Sequence, residues 1–542
     1  MLKKLFLFFS LISLFLSSCG TKPASLWGEY KTPTPHGAPA GSMPVQAVPI
    51  FTTVTTRVAS TFAPDKTVEA MHTSTPFATP LAERAFTATS PAQNTNVPPT
   101  LDPNLNTMLY YSQSGDYLES VASHFGVDVD EISATKELPS ARTLLDPNTL
   151  LVIPDTLEKT TSNEKIFPDS EVVFSSTAVD FDTVFYVNEK DAFLNKYEEY
   201  LGSTGWTSGA EGIERLAQEN SLNPRLLVAL VEYESGWILG DPGNLSESDY
   251  PLGYVDFRAR GLFRQMMRAV QDLALGYYGW RDGSLTELTF PNGETIRLAP
   301  ELNAGSVAIM YYFAQKLDYE RWAQTVDPRV GFPALYAEMF NDPWARAQHV
   351  EPLFPPGLVQ PDLVLPFEPE LQWAYTGGPH SAWEHEGAIA ALDFAPNETS
   401  GCAETNRWVV ASAPGLVVRS ERGVVILDLD GDGQEETGWN LLYLHVATED
   451  RVPVGTWLET NDRIGKPSCE GGVATGTHLH FARKYNGEWI LAEGALSFDL
   501  DGWIAHNGTE PYLGTLTRGD ETITASVVGD FVSIIYRDPI EE

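Results

Sequence analysis

Cysteine is nearly absent, with three in 542 residues. That excludes a disulfide-dense scaffold and any Cys₄ zinc site. Basic residues are also few, 35 Lys+Arg against 73 Asp+Glu, for a formal net charge of -38. Such a chain repels phosphate backbones, which excludes nucleic acid as a partner class. Long apolar runs are missing too: the stretch from Leu5 to Leu16 falls well short of the roughly 20 residues a bilayer crossing needs. What is plentiful is core-forming material, 13 Trp, 21 Tyr and 26 Phe, so wholesale disorder is excluded. The length accommodates about three or four domains.

The short apolar run follows Lys3 and Lys4, the layout of a secretory leader over residues 1–18. It ends in Leu16-Ser17-Ser18-Cys19-Gly20, which resembles the bacterial lipobox. The resemblance implies lipidation of Cys19 and a mature protein held outside the cytoplasm, lipid-anchored to a membrane. In that oxidising setting the remaining pair, Cys402 and Cys469, is expected to form a disulfide. Residues 19–106 are rich in Pro, Thr, Ser and Ala and lack any helical or strand period, so they read as a stalk.

From 107 the pattern changes. Tyr110-Tyr111-Ser112 reads as a strand entering a turn, and Leu118, Val121, Ala122 and Phe125 recur at helical spacing before Gly126. A second helix is expected near Val129, and Leu150 to Pro154 reads as a strand. This β-α-α-β unit, residues 107–156, resembles the LysM module through Ser114-Gly115-Asp116-Tyr117-Leu118, Phe125-Gly126-Val127 and Leu151-Val152-Ile153-Pro154. The resemblance implies binding of N-acetylglucosamine-containing wall glycan. A connector is expected over 157–192.

Residues 193–362 read as mainly α. Asn223-Pro224 caps a helix that is apolar all round and ends at Glu232-Tyr233-Glu234-Ser235-Gly236. A carboxylate closing a buried helix before Ser-Gly resembles the lysozyme-like lytic transglycosylases, as does Leu302-Asn303-Ala304-Gly305. That likeness implies Glu234 as a general acid on glycan; a salt-bridged or capping Glu is the alternative.

Ten histidines are present, and six lie beyond residue 379. In Gly476-Thr477-His478-Leu479-His480-Phe481, strand alternation puts His478 and His480 on one face, where imidazoles can meet a metal ion. Upstream lie Thr376-Gly377-Gly378-Pro379-His380, Leu392-Asp393-Phe394 and Tyr443-Leu444-His445, amid strand-like runs that predict an all-β domain over 363–542. These pieces resemble the lysostaphin/LytM-type zinc endopeptidases of bacterial walls. The spacing from His380 to Asp393 is similar to the β-lytic/staphylolysin branch, and His385 fits neither branch. The resemblance implies Zn²⁺ held by His380, Asp393 and His480, with His445 and His478 as non-ligand catalytic imidazoles and peptidoglycan as substrate. Three ligands leave one coordination position open, the mark of a catalytic rather than a structural zinc.

Asp428-Leu429-Asp430-Gly431-Asp432 has the carboxylate spacing that opens a Ca²⁺ loop, but Trp439 stands where the twelfth-position Glu belongs. A short acidic hairpin turn reads the same residues. The whole predicts a multidomain wall enzyme: a small LysM module, a mainly α lysozyme-like middle and an all-β zinc endopeptidase. A non-catalytic wall-binding activator, and glycan cleavage through Glu234, are the competing readings.

Overall fold

The computed structural model describes residues 106–383 and 387–540. The leader, Cys19, most of the stalk and His385 lie outside the described residues. Among the described residues no helix is long and apolar enough to cross a membrane.

The first small sheet orders its strands Thr107–Tyr111, Leu150–Pro154, Ser133–Ala134, against the helix Leu118–Phe125. Gly126 stops that helix in a left-handed conformation, φ 66°, that favours glycine. The second helix expected near Val129 is instead a single 3₁₀ turn, Val129–Glu131, followed by the two-residue strand. Residues 132–149 carry Pro139 and Pro147 and no helical apolar period, so nothing propagates the turn.

The helical region is built on Gly209–Asn220, Pro224–Ser235, Leu262–Arg281 and Ala304–Ala314. Asn223 caps the second of these by accepting the Arg225 N–H, Pro224 opens it, and Gly236 closes it at φ 67°. Leu226 to Val231 are fully buried, as their unbroken apolar run demands. Ile166, Phe167, Val172, Val173 and Val187 join this core, so much of the expected connector packs with the helices.

The C-terminal half is built on a nine-stranded antiparallel sheet, with a four-stranded sheet over residues 499–524 beside it. Its main path runs Trp457–Leu458, Gly415–Glu421, Val424–Asp428, Trp439–Leu444, Leu479–Tyr485, Ile389–Pro396, Gln372–Ser381, Ile534–Tyr536. Glu488–Trp489 pairs beside Leu479–Tyr485. Alternation divides the side chains. Val425, Leu427, Leu441, Tyr443 and Phe481 form one apolar core, whereas Val424, Ile426, Leu442, Leu444 and Ala482 join the core of the helices. Leu444 pairs with His480, His480 with Asp393 and Ala482 with Ala391. Residues directly opposite in an antiparallel pair project to the same side, so His480 and Asp393 lie on the helix-covered face.

Arg281 ties the regions together. Its buried guanidinium donates to Glu488 Oε1 at 2.8 Å and to Asp169 Oδ2 at 2.9 Å, and it also bonds the carbonyl of Ser114. Tyr277 donates to Glu488 Oε2 at 2.8 Å, and the Trp489 indole donates to the Asn220 carbonyl at 3.1 Å. Buried charges persist only when paired and hydrogen-bonded, and these are.

Candidate metal centre

His380 stands near the end of Gln372–Ser381, Asp393 within Ile389–Pro396 and His480 at the start of Leu479–Tyr485. Three neighbouring strands thus bring together residues spread over a hundred positions. All three side chains are buried, and one donor atom from each lies within 4.8 Å of the others. His380 Nε2 is 3.0 Å from His480 Nδ1, and each is 3.3 Å from Asp393 Oδ1. Ligands about 2.0–2.1 Å from a tetrahedral zinc stand about 3.3 Å apart, so the spacing suits that ion.

The outer contacts choose the nitrogens. His380 Nδ1 bonds the Gly378 carbonyl at 2.8 Å, leaving Nε2 free to face inward. His480 Nε2 bonds the Ala382 carbonyl at 2.9 Å, leaving Nδ1. Carbonyl partners of this kind fix the tautomer and orientation of a ligating imidazole. Asp393 Oδ1 is buried and has no hydrogen-bond partner, although two ring nitrogens face it. A buried carboxylate oxygen left so is costly unless a cation takes it. Burial pushes the Asp393 carboxyl up, but His380 and His478 beside it outweigh that and hold it well below the carboxylate range. Burial lowers His480, keeping its imidazole in the neutral form that binds metals. The three residues fit a divalent ion.

His445 and His478 stand beside the cluster with ring centroids 4.4 Å apart. His445 Nδ1 bonds the Glu470 carbonyl at 2.9 Å and His478 Nδ1 the Gly476 carbonyl at 2.8 Å, so each presents Nε2. His478 Nε2 is 3.8 Å from Asp393 Oδ1. Burial, then the neighbouring His478 and His480, push His445 down to about 3.

The glycines before His380 are obligatory. A Cβ on Gly377 would lie 2.5 Å from Asp393 Oδ2, and one on Gly378 2.5 Å from the Leu513 backbone. Leu513 belongs to a loop that sequence reading passed over. Its Tyr512 stacks on His380 with centroids 4.1 Å apart, accepts the Gly378 N–H at its carbonyl and donates its own N–H to Pro379. Burial and Asp393 raise its phenol to about 12. The only local signal was a turn-like Gly508 to Gly514 more than a hundred residues after Asp393.

Cys402 and Cys469 form the expected disulfide. Glu234 sits elsewhere, in an ion pair with Lys316 and accepting the Tyr312 hydroxyl at 3.1 Å. The salt-bridged alternative for Glu234 is the one the contacts support. Asp428, Asp430 and Asp432 cluster, yet Asp428 spends both oxygens on the N–H groups of Asp430, Gly431 and Gly433, and Asp432 accepts from Gln434 and Thr437. These bonds are those of an acidic turn, and one oxygen from each of the three carboxylates also lies within reach of a common cation.

Residues 165–353, the helical region, match the family described as LasA, N-terminal domain. Over 335 residues the chain is 25% identical to Protease LasA of Pseudomonas aeruginosa, spanning 58% of this chain and 75% of that protein. Over 148 residues it is 27% identical to the Beta-lytic metalloendopeptidase of Achromobacter lyticus, spanning 26% of this chain and 36% of that one. Among solved structures, the M23 metalloprotease pseudoalterin from the deep sea is 20% identical over 31% of this chain and 96% of its own, with a TM-score of 0.26. The buried His-Asp-His cluster and these sequence relatives make the chain a metalloendopeptidase. The chain is similar to the LasA-like metallopeptidases, and the helical region carries part of that likeness.

Proposed function

We propose that this chain hydrolyses peptide bonds in the cross-links or bridges of peptidoglycan, using zinc held by His380 Nε2, Asp393 and His480 Nδ1. The observation that carries the reading is the convergence of three buried donors on one point, with the Asp393 oxygen otherwise unsatisfied. The relatives named Protease LasA and Beta-lytic metalloendopeptidase support peptide-bond hydrolysis. Zinc at this position supplies Lewis-acid activation of water near neutral pH. His445 and His478 act beside it through Nε2: one takes the proton of the attacking water, and one donates to the leaving amine or to the developing oxyanion. The carbonyls of Glu470 and Gly476 keep both rings aimed while this happens.

In the same reading Cys19 carries the lipid anchor, 19–106 provides reach, 107–156 attaches to wall glycan, and the helical and peptidase regions follow at 193–362 and 363–542. The purified full chain, digested against peptidoglycan and analysed for zinc, tests the proposal. New amino termini with one zinc per chain are expected, both lost in His480→Ala. New sugar ends lost in Glu234→Ala would point to glycan cleavage instead, and no product at all to a wall-binding activator.

A further inference from the structure

The three candidate ligands and the two further imidazoles are held by separate contacts, and one covalent bond lies entirely on the second set. Cys469 stands between Ser468 and Glu470. Ser468 donates its N–H and its hydroxyl to the His445 carbonyl at 2.7 and 2.9 Å, and the Glu470 carbonyl takes the His445 ring at 2.9 Å. Cys402 stands between Gly401 and Ala403, whose carbonyls accept the N–H and hydroxyl of Thr477 at 2.7 and 2.6 Å. Thr477 immediately precedes His478, whose own N–H reaches the Ser468 carbonyl at 3.4 Å. The ring hydrogen bonds and ion pairs of His380 and His480 run instead to Gly378, Ala382, Asp393 and each other, and Tyr512 stacks on His380.

His445 also needs holding. Its φ of +67° lies in the left-handed region that side chains rarely adopt, and such conformations persist only when the surroundings over-determine them. The hydrogen bonds that do so are individually modest, because each can be exchanged for one to water. The disulfide joins the loop that supplies them to the loop that holds Thr477, across 67 residues of sequence. Cys402 is exposed and Cys469 half-buried, so a soluble thiol reaches the bond.

We propose that the Cys402–Cys469 disulfide is a positioning device for His445 and His478, so that reduction by a thiol switches hydrolysis off while metal binding by His380, Asp393 and His480 persists. In that reduction two external thiols are oxidised to their disulfide as the two cysteine sulfurs take up two electrons and two protons. The proposal rests on the hydrolytic reading of His445 and His478.

The full chain, oxidised, reduced with a dithiol and reoxidised, tests it alongside the double variant Cys402→Ser, Cys469→Ser. Zinc content, kcat and KM on peptidoglycan, and ¹⁵N-histidine ring resonances are measured on each. Reduction and the double variant are expected to lower kcat by about ten- to a hundredfold, the scale of a small misplacement of reacting groups, with KM and zinc unchanged. The His445 and His478 rings shift and broaden while His380 and His480 hold, and reoxidation restores the reduced wild type only. Unmoved His445 and His478 resonances after reduction would overturn the proposal, as would zinc leaving together with activity. An oxidised chain that holds zinc yet cuts no peptide would overturn the hydrolytic reading instead, and the ring resonances would still decide whether the disulfide positions the pair.

Discussion

His445 and His480 are neighbours in space to which the proposed mechanism gives different duties, and single substitutions separate them. His480→Ala removes a donor from the cluster, and both zinc and activity are expected to vanish. His445→Ala leaves all three donors in place, so zinc is retained while kcat/KM falls by about 10²–10⁴, the usual contribution of a positioned acid or base. Metal analysis beside a peptidoglycan digest checks both, and zinc loss in His445→Ala would overturn the division. Gly377→Ala acts through space: its new Cβ would crowd Asp393 Oδ2 at 2.5 Å. That carboxylate must shift, and zinc affinity is expected to drop about tenfold or more, as for disrupted outer contacts of a metal ligand. A competitive chelator titration reads it.

Local structure follows local chemistry where capping and periodicity agree. Asn223 accepts the Arg225 N–H and donates to Thr177 at 3.1 Å, so Asn223→Ala is expected to cost about 1 kcal/mol or somewhat more, seen as a lowered unfolding midpoint. That helix could be read from Asn223, Pro224 and Gly236 alone, because each acts within one turn of where it stands. The strand bearing His480 could be read as well, since alternation marks a half-buried sheet directly. The second helix expected in the small module does not form, for the opposite reason: Val129 starts a turn, but no apolar stripe follows to offset its nucleation. Asp393 could be recognised through its family spacing, whereas Tyr512 could not. Its place on His380 depends on a loop folding back from the far end of the chain, and no periodic pattern encodes such a return.

Packing between regions adds a pH response. Glu351 accepts the N–H and hydroxyl of Ser170, and burial, then Asp169, push its carboxyl up to about 7 from an ordinary 4.5. A raised carboxyl binds its proton more tightly when folded. Its contribution to stability is therefore complete below about pH 4.5 and lost as pH rises through about 7. Glu351→Gln is expected to flatten the fall in stability across that window; an unchanged slope in denaturant melts would show that another group carries it. The helices impose a further condition on catalysis. Leu444, Leu442 and Ala482 continue from the metal cluster beneath them, so the floor open to an extended peptide along those strands is narrowed. Cutting the chain at the exposed Pro355–Gly357 stretch, and letting the helices leave, is expected to raise the rate of peptide cleavage. A time course of limited proteolysis against activity tests this, and a flat rate would count against it.

Arg281 has a consequence for how such a chain can diversify. One guanidinium answers to a carbonyl at Ser114, a carboxylate at Asp169 and another at Glu488, in three parts of the polypeptide that look like interchangeable cassettes when read along the sequence. A graft that replaced the piece bearing Asp169 or Glu488 with one lacking the carboxylate would leave the buried Arg281 guanidinium short of a partner. The parts are therefore expected to be inherited together, and recombination between distant relatives to succeed only where Arg281 travels with both carboxylates.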